Sequence, residues 1–144
     1  MTDSRTIRLE IRSGLDMLEL VQVVIDHAGR LAHLDEDALH RVSMAVRESV
    51  INAIQHGNGC DARKHVFVEV TSAPALVPTE LIVRVRDQGE GFDPDRLADP
   101  RAPENVLKSS GRGIFLMRSF MDEVSLCRAR EGGMEVRMVK RISR

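Results

Sequence analysis

Glu48-Ser-Val-Ile-Asn52-Ala-Ile-Gln-His56-Gly57 closes a segment that reads as an amphipathic helix from Asp35 to His56. Asp35 is a good N-cap, because its carboxylate can accept the unpaired amides of a first turn. No Gly or Pro interrupts the run before Gly57, which suits a C-cap. At about 100° per residue, Leu39, Val42, Val46, Val50, Ala53 and Ile54 fall within roughly one third of the circumference, an apolar face that needs a core. Glu48 lies opposite that stripe, with Asn52 one turn on and His56 one turn beyond, so the three project in related directions. Taken alone, such a row reads first as the solvated face of a helix. His56 reads first as a cap of the helix end, whose dipole favours it.

A second segment changes the weight of the first. Glu80-Leu-Ile-Val-Arg-Val-Arg86 alternates apolar and charged residues from Ile82 onward, the pattern of a half-buried strand. It runs directly into Asp87-Gln-Gly89-Glu-Gly91-Phe-Asp93-Pro94. The paired glycines permit positive φ and a close approach of ligand to backbone. The acidic residue before them is a ready acceptor for an exocyclic amino group. Asp and Gly also dominate ordinary turns, so this segment alone decides little.

The third segment is Ser109-Ser110-Gly111-Arg112-Gly113-Ile-Phe-Leu-Met, in which Gly111 and Gly113 are expected to open a helix running to Met121. Free amides at a helix N-terminus, with the positive end of the dipole behind them, bind phosphate oxygens. It is neither a Walker A loop nor a dinucleotide GxGxxG, since Leu116 stands where the last glycine would be. A flexible loop before a core helix explains it about as well. Together, the three segments suggest a pocket for a phosphorylated ligand and its cation.

In this order the three segments resemble the N box and the two glycine boxes of the GHKL ATPase superfamily. The closest similarity is to the small, free-standing anti-sigma-factor serine/threonine kinases of bacteria. The matching wording is Ala45-Val-Arg-Glu-Ser-Val-Ile-Asn-Ala-Ile-Gln-His-Gly57, Asp87-Gln-Gly-Glu-Gly-Phe-Asp93 and Gly111-Arg-Gly-Ile-Phe-Leu-Met-Arg-Ser-Phe-Met-Asp-Glu-Val124. The resemblance implies the Bergerat ATP-binding fold: a two-layer α/β (α+β) sandwich whose mostly antiparallel, mixed sheet carries its helices on one face. It implies one histidine-kinase-like ATPase domain over residues 1–144, with an ATP lid at about 93–110.

Roles follow residue by residue from the same resemblance. Glu48 would be the general base, Asn52 the ligand of Mg²⁺, and Asp87 the acceptor for the adenine amino group of ATP. Gly89 and Gly91 would shape the base pocket. Gly111 and Gly113 would wrap the phosphates, with Lys108, Ser110 and Arg112 beside them. The implied function is an ATP-dependent kinase that acts as an anti-sigma factor and phosphorylates an anti-sigma-factor antagonist of the STAS type on serine or threonine. The alternative is a nucleotide-gated protein-binding module that transfers little or no phosphate. Expected partners are a sigma factor, the antagonist and a second copy in a homodimer.

Two positions depart from the family pattern. Ser109 stands where relatives often carry a basic residue, leaving Lys108 and Arg112 as the adjacent cations. Gly133 is followed by Met134 and Glu135 rather than Thr, so the contact that Thr makes near adenine is lost here or left to water.

Composition agrees and excludes some classes. The chain has 144 residues, enough for a single core. It has no Trp or Tyr and only four Phe, so aliphatic side chains must fill that core. A formal net charge of −1 gives no electrostatic case for direct nucleic-acid or membrane binding. Cys60 and Cys127 lie far apart with no CxxC, which suggests neither a disulfide framework nor a zinc site. No apolar leader and no membrane-length run is present, and a cytoplasmic location is expected.

The remaining elements read as a strand over 6–12, a helix over 15–34, a hairpin of strands over 66–71 and 81–86, and two last strands over 123–128 and 134–141. Pro94, Pro100 and Pro103 preclude a long helix between 93 and 110.

Overall fold

The computed structural model describes residues 3–89 and 109–142, with side chains in the last helix from Gly113 onward. The lid expected at 93–110 therefore lies almost wholly outside the described residues. Strand β1 is Arg5–Arg12, and a three-residue turn at Leu15–Met17 leads into helix α1, Leu18–Leu31. Helix α2 is Glu36–Asn52 and continues through a wider turn, Ala53–Gly57. Strands β2 (His65–Ala73) and β3 (Glu80–Arg86) follow, then helix α3 (Ser109–Phe120) and strands β4 (Glu123–Arg128) and β5 (Met134–Arg141).

The five strands form one sheet in the order β1-β2-β3-β5-β4. Every pairing is antiparallel, so the described sheet is antiparallel throughout rather than mixed. Register carries the apolar alternation straight across it. Leu9, Val68, Val85, Val136 and Leu126 form one row, and Ile7, Val70, Val83, Met138 and Val124 the next. A side-chain period of two puts both rows on the same face. There all but Ile7, which is exposed at the sheet's edge, join Val21, Ile25, Val42, Val46, Val50 and Met117 of the helices in one core. Each fully buried aliphatic side chain contributes roughly 1.5–3 kcal/mol, which is how a core nearly free of aromatics can hold two layers together.

The opposite face of the sheet is polar and, among the described residues, uncovered by helices. There Glu69 pairs with both Arg8 and Arg84, and the Arg86 guanidinium lies over the Phe67 ring, 4.1 Å from its centre. A hollow of about 330 Å³ on that face is lined by Phe67, Glu69, Arg84 and neighbours, on the far side of the sheet from α2 and α3.

Helix ends differ from the sequence reading, for local reasons. α1 stops at Leu31 instead of Leu34, because His33 adopts φ 65°. His33 N–H then donates to Arg30 O and Leu34 N–H to Gly29 O, both at 3.0 Å, a Schellman closure with histidine where glycine is usual. Leu34 turns back against Gly29, where Leu39 also packs. At the start of α2, Asp35 Oδ1 accepts from Ala38 N–H at 2.7 Å, the cap its sequence position predicts. No helix among the described residues is long and apolar enough to cross a membrane.

Candidate functional site

The polar face of α2 meets the start of α3. Glu48 and Asn52 are half-buried, one turn apart on α2. Gly113 sits directly against them: a β-carbon there would lie 2.6 Å from Glu48 Oε1 and 2.7 Å from Asn52 Nδ2. α3 already includes Ser109, so Gly113 is its fifth residue rather than its opening one. The fifth amide of a helix lies within reach of the first carbonyl, so Gly113 serves by lacking a side chain and not by offering a free amide. Ser110, Gly111 and Arg112 belong to the first turn, whose amides have no partner within the helix. Gly91 and Lys108 lie outside the described residues.

A second cluster forms where α2 ends. After Asn52 the helix widens, and Asn58 N–H donates to Ala53 O at 2.8 Å, five residues back. Turns of this width recur at functional sites. Gly57, expected as a left-handed cap, is absent from the residues with positive φ; Gly59 and Cys60 take that conformation instead. What Gly57 provides is room. A β-carbon on it would overlap the Asp87 carboxylate, and one on Gly89 would overlap the Gly57 carbonyl. His56, on this same turn, is exposed.

Asp87 itself is 5% exposed at the end of β3. Its Oδ1 accepts two backbone amides, Gly89 N–H at 2.9 Å and Met134 N–H at 3.1 Å. Its own N–H donates to Met134 O at 3.0 Å. Oδ2 makes no hydrogen bond among the described residues and is left as an acceptor beside Gly57. Burial raises the Asp87 carboxyl above its ordinary value, against the opposing effect of the two amide bonds and of Lys64 and Arg86.

Gly133 closes the cluster from the other side. It adopts φ 82°, and a β-carbon on it would meet the backbone carbonyl of Asp87 and lie 2.7 Å from Oδ1. At the position where the family pattern has Thr, the backbone of Met134 makes the contact to Asp87. The sequence carries no side-chain signal for this contact, because it is made by the main chain of Gly133 and Met134.

α2 therefore connects the two clusters along one helix. Glu48 and Asn52 lie at one level and Gly57 with Asp87 at the next, nine residues or about 13 Å from Glu48 to Gly57 at helical rise. The sequence profile of the histidine kinase-like ATPase domain matches residues 11–140, which contain all of these positions. The chain is 32% identical over 123 residues to the anti-sigma F factor of Bacillus licheniformis, covering 81% of this chain and 80% of that one. It is likewise 32% identical over 123 residues to the anti-sigma F factor of Bacillus subtilis, with the same coverage. The anti-sigma F factor of Clostridium perfringens is 31% identical over 119 residues, 78% of this chain and 81% of that one. Among solved structures, the crystal structure of the RsbU and RsbW domains of Rv1364c from Mycobacterium tuberculosis matches with a TM-score of 0.66. That likeness is one of fold, at 16% identity over 97% of this chain and 33% of the larger one. From the profile match and these relatives, the chain belongs to the histidine kinase-like ATPase family, among its anti-sigma-factor kinases.

Proposed function

We propose that the chain is an ATP-binding serine/threonine kinase that acts as an anti-sigma factor in a bacterial partner-switching pathway. Its substrate is an anti-sigma-factor antagonist of the STAS type. One observation carries the reading: Gly113 of α3 packs onto Glu48 and Asn52 of α2, bringing the expected base, the expected cation ligand and a helix N-terminus together. The similarity to three anti-sigma F factors supports the choice of partners.

The donor set suits magnesium. Asn52 offers an amide oxygen, the hard donor that this cation prefers, and Mg²⁺ keeps most of its coordination for phosphate and water. When bound, it neutralises charge on the phosphates during transfer. The protein's own residues do the rest. Asp87 Oδ2 accepts the adenine amino group, and Gly57, Gly89 and Gly133 leave the space around it. Amides of the first turn of α3, with Ser110, Gly111, Arg112 and Lys108, hold the phosphates. Glu48 takes the proton of the attacking hydroxyl as its oxygen bonds to the terminal phosphorus, and the bridging P–O bond breaks to release ADP.

In this reading one domain spans 1–144 with 93–110 as lid, and the protein works in the cytoplasm as a homodimer. A pull-down from the native cell with and without Mg-ATP, followed by phosphosite mapping, tests it. A retained protein that gains phosphoserine or phosphothreonine is expected; no nucleotide-dependent partner and no phosphate transfer would overturn it.

A further inference from the structure

Asn58 is 3% exposed, and its side-chain amide is fully used. Its Oδ1 accepts from Gln88 N–H at 2.7 Å. Its Nδ2 donates to Ser13 Oγ at 2.7 Å and to His65 O at 2.9 Å. Only one orientation of the amide satisfies an N–H on one side and a carbonyl on the other. Around it the loop closes further: Gln88 Oε1 accepts from His65 N–H at 2.6 Å, and Ser13 N–H and Oγ–H both donate to Lys64 O. One side chain thus ties the end of β1, the start of β2 and the turn after β3. The wide turn at Ala53–Gly57 makes this possible, because its bond from Asn58 N–H to Ala53 O carries the residue inward.

The turn held this way is the one that bears Asp87. Gln88 follows Asp87 in sequence, and Gly89 donates to Asp87 Oδ1. Gly57, the neighbour of Asn58, is the surface on which the Asp87 carboxylate rests. Residues 57 and 58 therefore fix the carboxylate from below and along the chain. Hydrogen bonds weaken steeply outside about 2.7–3.2 Å, so a small displacement of this turn removes the acceptor from its ligand.

We propose that Asn58 is the positioning residue for Asp87 and thereby sets the preference of the pocket for adenine over guanine nucleotides. The proposal rests on the assignment of Asp87 to the adenine amino group. Affinities of the full chain for Mg-ATP and Mg-GTP, measured by calorimetry alongside thermal melts, test it. The parent should prefer ATP. Asn58→Ala should shrink the ATP-to-GTP affinity ratio about tenfold or more, because a mispositioned hydrogen-bonding site loses its power to discriminate. Asn58→Ser, too short to reach Gln88, should do the same and serves if the alanine variant does not fold. Ser13→Ala removes an acceptor for Asn58 Nδ2 and a bond to Lys64 while leaving the Gln88 bond; it should lower the melting temperature and hold the ratio within about twofold. A folded Asn58 variant with the parent's ratio overturns the proposal, including the case where both affinities fall equally. Equal loss of discrimination in Ser13→Ala overturns it too, since loosening anywhere would then suffice. A parent without ATP preference overturns the pocket reading itself, before any variant is made.

Discussion

Gly113 rests against the Glu48 side chain so closely that a β-carbon on it would fall 2.6 Å from Oε1 and 2.8 Å from Cγ. This contact links α2 and α3 in the site, and it predicts a specific outcome for Gly113→Ala. Alanine in a helix interior is favoured over glycine by roughly 1 kcal/mol, and the obstructing atoms belong to flexible side chains that can swing away. The variant should therefore fold with a melting temperature near the parent's. Glu48 and Asn52 would be displaced together, and a misplacement of about 1 Å at a reacting centre can cost on the order of a hundredfold. Calorimetry should show markedly weaker Mg-ATP binding; parental affinity would mean that α3 does not face the ligand.

Asp87→Asn separates charge from shape. In the parent, burial sets the folded pKa above the unfolded one. The folded state then binds the proton more tightly, so its stability falls as pH rises from the ordinary carboxylate value through the raised one. The asparagine variant lacks that loss. Without nucleotide it should melt above the parent at neutral pH, and that advantage should shrink as the pH falls to the ordinary carboxylate value. Its amide oxygen can keep the Gly89 and Met134 bonds, which turns the NH₂ toward the base. A donor there repels an amino group and suits a carbonyl, so ATP preference should collapse or invert toward GTP. Unchanged selectivity would remove Asp87 from base recognition.

The elements that sequence reading found were those with local signals. The Asp35 cap, the Leu39–Val42–Val46–Val50 stripe and the Ile82–Arg86 alternation each repeat within a few residues, and each reappears with the expected burial. Ends governed by single backbone angles were not legible. His33 supplies the left-handed turn after α1 with a side chain that rarely signals it. Site contacts between distant segments left even less trace. Gly57 looks like a cap in sequence, yet its reason is Asp87, thirty residues on; Asn58 looks like loop, yet Ser13, His65 and Gln88 bury it. Periodicity reports what faces the core, whereas close approach between segments depends on the assembled fold.

Mg-ATP should stabilise the protein. A ligand at a hundred times its Kd adds about 2.7 kcal/mol, which for a chain of this size raises the melting temperature by roughly 8 °C. Asn52→Ala should shrink the magnesium-dependent part of that shift, since the cation loses its amide oxygen, and leave the magnesium-independent part nearly intact. An equal magnesium dependence in parent and variant would show that Asn52 does not hold the cation.

Glu48→Gln decides whether the protein transfers phosphate or only binds. Glu48 is half-buried on the polar side of α2, away from the Leu39–Val46–Val50 stripe, so its replacement opens no cavity in the core. Glutamine keeps the length and the hydrogen-bonding atoms beside Gly113 but cannot take up a proton. A positioned general base contributes on the order of a hundred- to ten-thousandfold in rate. The variant should melt near the parent and bind Mg-ATP with similar affinity, while phosphate transfer to a partner serine or threonine falls at least a hundredfold. Single-turnover assays with the captured partner make the comparison, because they read the chemical step apart from product release. Equal transfer rates would remove Glu48 as the base. A parent that transfers nothing to any captured partner, yet whose partner affinity changes with ATP, would make the protein a nucleotide-gated binding module.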